Sequence, residues 1–239
     1  MRLAAECGID CARVEYLEFE DADEIEPAIV IERYDRETEG DSVLRLHQED
    51  LCQAIGCLPE NKYSMFGGPS CADCIRLLKS TGAEARQNVA RFLQILFFNY
   101  LIAATDAHAK NYSLMLRPDG AHRLAPMYDV ASIAPYVDAG DWRYKPPKLA
   151  MSIGGENRAG RVSARNIGRM VELCGLADLG ITSEGCARLM ALYADMIPGK
   201  LEAVFDDLAQ TSSAESAAEL RAHMLKPIAE LCERSKAQL

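Results

Sequence analysis

The stretch Ala103-Ala-Thr-Asp-Ala-His-Ala-Lys-Asn-Tyr-Ser-Leu-Met-Leu116 places Asp106, His108, Lys110 and Asn111 within six positions, directly after the most apolar run of the chain. That run, Phe92-Leu-Gln-Ile-Leu-Phe-Phe98 followed by Tyr100-Leu-Ile102, is apolar on nearly every side and predicts a central core helix over 85–104. Carboxylate, imidazole, ammonium and amide groups are costly to bury without partners. Their position at the end of a core helix points to a site in which a rigid apolar support holds polar groups at fixed separation.

Transfer of a phosphoryl group from ATP needs a carboxylate near the attacking hydroxyl and oxygen ligands for the Mg²⁺ ions that neutralise the phosphates. In the catalytic loop of protein kinases the base Asp precedes a metal-binding Asn by five positions, which is the spacing of Asp106 and Asn111. The second metal-binding Asp of that scheme follows a short β-hairpin. Here Tyr112 to Leu116, the turn Arg117-Pro-Asp-Gly120 and His122 to Pro126 predict a hairpin that leads into Met127-Tyr128-Asp129. Asp106 is then the candidate base, and Asn111 and Asp129 are the candidate Mg²⁺ ligands.

The structural alternative has Asp106 capping a turn, Asn111 opening a strand and Asp129 capping the next segment. Order, spacing and hairpin taken together favour the chemical reading. His108 is placed to touch a nucleotide phosphate and Lys110 to neutralise the transferring group, although both positions also suit solvent-facing loop residues. Val30-Ile-Glu-Arg-Tyr34 ends a strand where a kinase hinge would present backbone groups to adenine, a feature of little specificity by itself.

Outward from this centre, Arg2 to Cys7 reads as a helix stopped by Gly8, and Arg13 to Phe19 alternates as a half-buried strand does. The acidic Glu20 to Glu26 reads as a solvent-side turn and Pro27 to Tyr34 as a buried, β-branched strand. From Gln48 onward the pattern is helical, with segments over 49–55 and 71–80; Asn61 to Ser70 between them reads as a mobile loop. Further helices are expected over 164–174, 183–196 and 214–237, with Pro198 and Thr211-Ser-Ser213 as interhelical breaks.

The 239 residues are 49% hydrophobic, enough for a real core. A formal net charge of -10 and a pI near 5.0 argue against a surface that tracks a nucleic-acid backbone. No direct DNA binding is expected. Neither a signal-peptide h-region nor a membrane-spanning run is present, so a cytosolic chain is expected. Nine scattered cysteines fit reduced thiols, and Cys71-Ala-Asp-Cys74 reads as two positions on one helix rather than a zinc or redox site.

The segment Ala104 to Leu114 resembles the catalytic segment of the HipA serine/threonine kinase toxins, and Leu124-Ala-Pro-Met-Tyr-Asp129 resembles their metal-binding segment. Ile31-Glu-Arg-Tyr-Asp-Arg36, Leu46 to Gln53, Lys62-Tyr63 with Gly67-Gly-Pro69, and Lys148-Leu-Ala-Met151 are similar to other family blocks, in the same order. The resemblance covers almost the whole chain. It implies an α+β, protein-kinase-like fold, with residues 1–36 as the remnant and hinge of the nucleotide-binding N-terminal lobe and residues 37–239 as the helical C-terminal lobe. It further implies ATP as substrate, Mg²⁺ as cofactor, Asp106 as base, Asn111 and Asp129 as metal ligands, His108 as a nucleotide contact, and Glu32 to Tyr34 as the adenine hinge. By the same resemblance the partner is a HipB-like helix-turn-helix antitoxin, the best-known protein substrate is glutamyl-tRNA synthetase, and the outcome is growth arrest or persistence.

Members of the family carry a glycine-bearing phosphate loop and a strand lysine upstream of the hinge. Here the first lysine is Lys62, and Gly8 is the only earlier glycine before the hinge. The expectation is therefore little or no kinase activity from these residues alone, with a separate N-terminal kinase fragment as a further partner. The alternatives are a non-catalytic module that binds the antitoxin and a decayed gene fragment.

Overall fold

The apolar run through Phe92 and Ile102 sits at the centre of a computed structural model that describes residues 1–21, 24–117, 120–136, 142, 144–210 and 214–239. In chain order, helix α1 (Arg2–Glu6) precedes two hairpins, β1 (Val14–Asp21) with β2 (Glu24–Ile31), and β3 (Arg36–Glu39) with β4 (Ser42–Arg45). Strand β5 (His47–Asp50) then runs into helices α2 (Leu51–Ile55), α3 (Cys71–Lys79) and α4 (Ala85–Leu101). Strands β6 (Ser113–Leu116), β7 (His122–Leu124), β8 (Lys148–Ile153) and β9 (Glu156–Arg158) lead to α5 (Ala164–Leu173), α6 (Ser183–Leu208) and α7 (Ala214–Lys236).

Local chemistry sets several of these ends. The Asp50 side chain accepts from the Gln53 amide while the Gln53 side chain accepts from the Asp50 amide, a capping box that starts α2. Ser70 with Asp73 and Ser163 with Asn166 start α3 and α5 in the same way. Helix α2 ends at Gly56, whose φ of 80° only glycine adopts without strain. Cys71 and Cys74 are free and buried on α3, as two positions of one helix.

Helix α4 is buried on nearly all sides, and α3, α6 and α7 pack around it. Helices α6 and α7 lie antiparallel, since Arg221 pairs with Glu202 and Asp206 while Lys236 pairs with Asp195. Pro198 does not break the chain: it lies inside α6. The buried stripe Cys186, Met190, Tyr193, Ala194, Ile197, Leu201 and Phe205 continues past it at helical spacing. Packing on both sides of the proline outweighs the backbone hydrogen bond it cannot make.

Two other expectations are corrected. The segment expected as a buried strand from Pro27 forms β2, paired only with β1, and Ile29, Val30 and Ile31 are exposed. A two-stranded ribbon has no second layer to cover its apolar side chains. Gln48 to Asp50, read as helical, instead extends as β5 and pairs with β6, which pairs with β7. That pairing is non-local, so periodicity within the segment does not reveal it. The hairpins β3–β4 and β8–β9 have no counterpart among the expected elements. Strand β1 extends to Asp21 and β2 begins at Glu24, so most of the expected acidic turn is strand; residues 22–23 lie outside the described residues, as do Pro118, Asp119 and Thr211 to Ser213.

Candidate active site at the end of helix α4

Helix α4 fixes the polar segment through its own buried polar groups. Asn88, wholly buried, donates to the Thr81 hydroxyl at 2.9 Å and to the His122 carbonyl at 2.7 Å, and accepts from the Leu124 amide at 2.8 Å. One side chain thus ties α4 to the β7 edge of the hairpin. Near the other end Asn99 donates to the Tyr112 hydroxyl at 3.1 Å, and the Tyr112 ring packs on Phe92. The chain between Leu101 and Tyr112 is consequently held at both ends by groups of α4. It reverses at Ala103, whose φ of 53° lies in the left-handed region; strained conformations of this kind persist only where surrounding structure over-determines them.

Within that turn the Asp106 carbonyl accepts from the His108 amide at 2.8 Å and from the Asn111 side-chain amide at 3.1 Å. The same Asn111 nitrogen donates to the Asp129 carbonyl at 3.3 Å. Asp129 also has positive φ, 49°. Its approach is fixed upstream, where the Ala125 amide donates to the Ser113 carbonyl and Met127 exchanges hydrogen bonds with Asp10 and Ala12. Asp106, Asn111 and Asp129 therefore meet at one place, with the Asn111 amide as the link.

The Asp106 side chain is 66% exposed. Its Oδ1 accepts from the Tyr63 hydroxyl at 2.6 Å and lies 3.8 Å from His108 Nε2. His108 is only 4% exposed, and neither ring nitrogen has a hydrogen-bond partner among the described residues. Burial lowers the His108 imidazole below its ordinary pKa, against the opposing pull of the Asp106 carboxylate. The Tyr63 ring meets it edge-on at 5.2 Å. Lys110 is partly exposed; its carbonyl accepts from the Tyr128 hydroxyl, which also shares a 2.6 Å hydrogen bond with Ser113.

The expected hinge residues lie beside this cluster. Tyr34 stacks on Tyr128 with centroids 5.7 Å apart, and its hydroxyl donates to Gln48 at 2.7 Å. Glu32 is exposed at the end of the β1–β2 ribbon, its amide donating to the Arg13 carbonyl. Asp35, 2% exposed, is held by Arg33 and Arg36, and the Arg33 hydrogen bonds lower its carboxyl to about 2.

Two contacts had no counterpart in the sequence reading, the Tyr63–Asp106 hydrogen bond and the Tyr34–Tyr128 stack. Each joins residues far apart in sequence, and the one local sign of the first was the glycine pair after Tyr63. The donors present suit a hard cation: the amide oxygen of Asn111 and the carboxylate of Asp129 are oxygen ligands. Among the described residues no group of three or more His, Cys, Asp or Glu side chains forms an all-protein metal cage. Two oxygen donors of this kind fit Mg²⁺, which keeps water and phosphate oxygens in its shell.

Comparison with known proteins places the chain in a family. The family model for the HipA-like C-terminal domain matches residues 1–210. The chain is 41% identical over 155 residues to the Sinorhizobium fredii protein Y4mE, covering 64% of this chain and 34% of that one. It is 34% identical over 188 residues to the serine/threonine-protein kinase toxin HipA of Shewanella oneidensis, covering 74% of this chain and 41% of the toxin. The solved structure of HipA from Shewanella oneidensis MR-1, in complex with HipB and operator DNA, superposes with a TM-score of 0.75 at 28% identity, over 98% of this chain and 54% of that one. The α+β, kinase-like fold expected from the sequence is the fold found. The chain spans between a third and about half the length of these relatives, and no helix among its described residues is long and apolar enough to cross a membrane.

Proposed function

The chain belongs to the family of HipA-like C-terminal domains, and on that premise we propose that it is the catalytic lobe of a serine/threonine protein kinase that takes ATP and Mg²⁺. The observation that supports this reading is the Asn111 side-chain amide, which donates to the backbone carbonyls of both Asp106 and Asp129 and so ties the three proposed site residues to one another. In this reading residues 1–36 form the edge of the nucleotide lobe and its hinge, and residues 37–239 form the helical lobe.

Asp106 accepts the proton of the acceptor hydroxyl as its oxygen attacks the γ-phosphorus, and ADP leaves. Mg²⁺ held by Asn111 and Asp129 would neutralise charge on the phosphates. His108, buried and with both ring nitrogens lacking hydrogen-bond partners among the described residues, offers a neutral imidazole to the nucleotide, and Lys110 offers a positive charge to the transferring group. Glu32 and Tyr34 border the adenine, Tyr34 being fixed by its stack on Tyr128. The test is phosphate transfer from ATP in the presence of Mg²⁺ by the natural protein supplied with an N-terminal kinase segment that carries the phosphate clamp. Transfer abolished by Asp106→Asn is expected; transfer that survives this change rules the assignment out.

The protein partners follow the same reading. Ile29, 71% exposed, and Phe19, 51% exposed, lie on opposite faces of the β1–β2 ribbon, which suits a covering N-terminal kinase segment that brings the phosphate clamp. A HipB-like helix-turn-helix antitoxin is the proposed regulator within a toxin–antitoxin pair. It would supply the DNA contact that a chain of net charge -10 does not. Glutamyl-tRNA synthetase is the first protein substrate to try, with growth arrest as the cellular readout. Co-purification with the product of the neighbouring gene tests the antitoxin, and its failure removes that partner.

A further inference from the structure

The Tyr63 hydroxyl donates to Asp106 Oδ1 at 2.6 Å from a loop that is itself a built structure. The Tyr63 carbonyl accepts from the amides of both Phe66 and Gly68, and the Ser64 hydroxyl next to it donates to the Ala150 carbonyl on β8 at 2.8 Å. Gly68 is packed so tightly that an added Cβ would fall 1.9 Å from the Asn61 carbonyl oxygen. Loop closure and the tie to β8 thus pin the phenol on both sides. An exposed carboxylate otherwise turns freely about its side-chain torsions, and a base must face its proton to within a few tenths of an ångström.

We propose that Tyr63 is a positioning residue for the proposed kinase reaction: its phenol holds Oδ1 of Asp106 so that Oδ2 faces the acceptor hydroxyl. The assignment rests on Asp106 being the base. The hydroxyl itself is not the acceptor, because a phosphorylated Tyr63 would have to leave the carboxylate, and the anchors at Ser64 and Gly68 oppose that movement. The ring has a separable role, covering His108 edge-on, which a phenylalanine keeps.

The experiment is steady-state kinetics on the natural protein, supplied with an N-terminal kinase segment carrying the phosphate clamp, with Mg²⁺ and ATP, comparing wild type, Tyr63→Phe and Gly68→Ala. Tyr63→Phe is expected to lower kcat on the order of tenfold to a hundredfold, the scale on which a displaced catalytic group loses rate. KM for ATP and the melting temperature should stay at the wild-type values. Gly68→Ala, which leaves the phenol intact but displaces its loop, should lower kcat in the same way. A wild type that transfers no phosphate even when supplied with an N-terminal kinase segment carrying the phosphate clamp overturns the kinase reading and this assignment with it. An active wild type whose Tyr63→Phe variant keeps its kcat, or phosphate recovered on Tyr63, overturns the assignment alone.

Discussion

Asn111 and Asp129 stand 18 positions apart, on either side of the β6–β7 hairpin, and the Asn111 side chain donates to the Asp129 carbonyl at 3.3 Å while donating to the Asp106 carbonyl at 3.1 Å. The side chain proposed as a cation ligand is therefore also a brace between the backbones of Asp106 and Asp129. Both of these hydrogen bonds use the Asn111 nitrogen.

Asn111→Ala removes the brace and leaves two carbonyls short of a donor in a largely buried place. A loss of about 1–3 kcal/mol in urea unfolding is expected. Asn111→Asp keeps an oxygen ligand but no donor, and sets a carboxylate against two carbonyl oxygens. It should be at least as destabilising, and should weaken Mg²⁺-dependent ATP binding in calorimetry.

His108 is lowered by burial, so the unfolded chain binds a proton more readily than the folded one. Stability contributed by the neutral imidazole is present at neutral pH and is lost as pH falls from about 7 toward 5. Melting temperatures measured across that window should decline less in His108→Gln than in wild type. An unchanged slope would show that the imidazole does not titrate out of a buried neutral state.

Asp35 behaves in the opposite sense. The Arg33 and Arg36 hydrogen bonds lower its carboxyl to about 2. Its contribution is therefore complete above the ordinary carboxylate range and disappears as pH falls toward 2. Asp35→Asn should be less stable than wild type at neutral pH, with the difference narrowing on acidification. Because Asp35 adjoins Tyr34, the same variant should loosen the Tyr34–Tyr128 stack, which tyrosine fluorescence can follow.

Ile29, exposed on β2, gives a prediction that separates surface from core. Ile29→Lys should change stability by no more than about 0.5 kcal/mol, as exposed substitutions do. If a kinase segment covers this ribbon, the same change should reduce its co-purification with the chain.

Legibility in the sequence follows the range of each interaction. The turn after α4, the Asp106 to Asn111 spacing and the hairpin leading to Asp129 were readable because each spans a few residues of one strand or turn. Helix α6 was read as ending near Pro198, because a proline is a strong local signal, while the stripe from Cys186 to Phe205 that overrides it draws its energy from α4 and α7. Gln48 was read as helical because its partner strand, β6, lies more than sixty residues away in the chain. The β1–β2 ribbon looked buried because apolar content alone does not say whether a second layer covers it.

Sequence by itself determined the order and spacing of the polar groups Asp106, His108, Lys110, Asn111 and Asp129, which are local properties of the chain, and its resemblance to a family implied the kinase-like fold. Only the tertiary structure decided that Asn111 braces Asp106 against Asp129, that Tyr63 grips the Asp106 carboxylate and that His108 is buried without a hydrogen-bond partner among the described residues. Hydrogen bonds and burial between distant segments depend on how helices and loops pack around α4, and no local pattern encodes that packing.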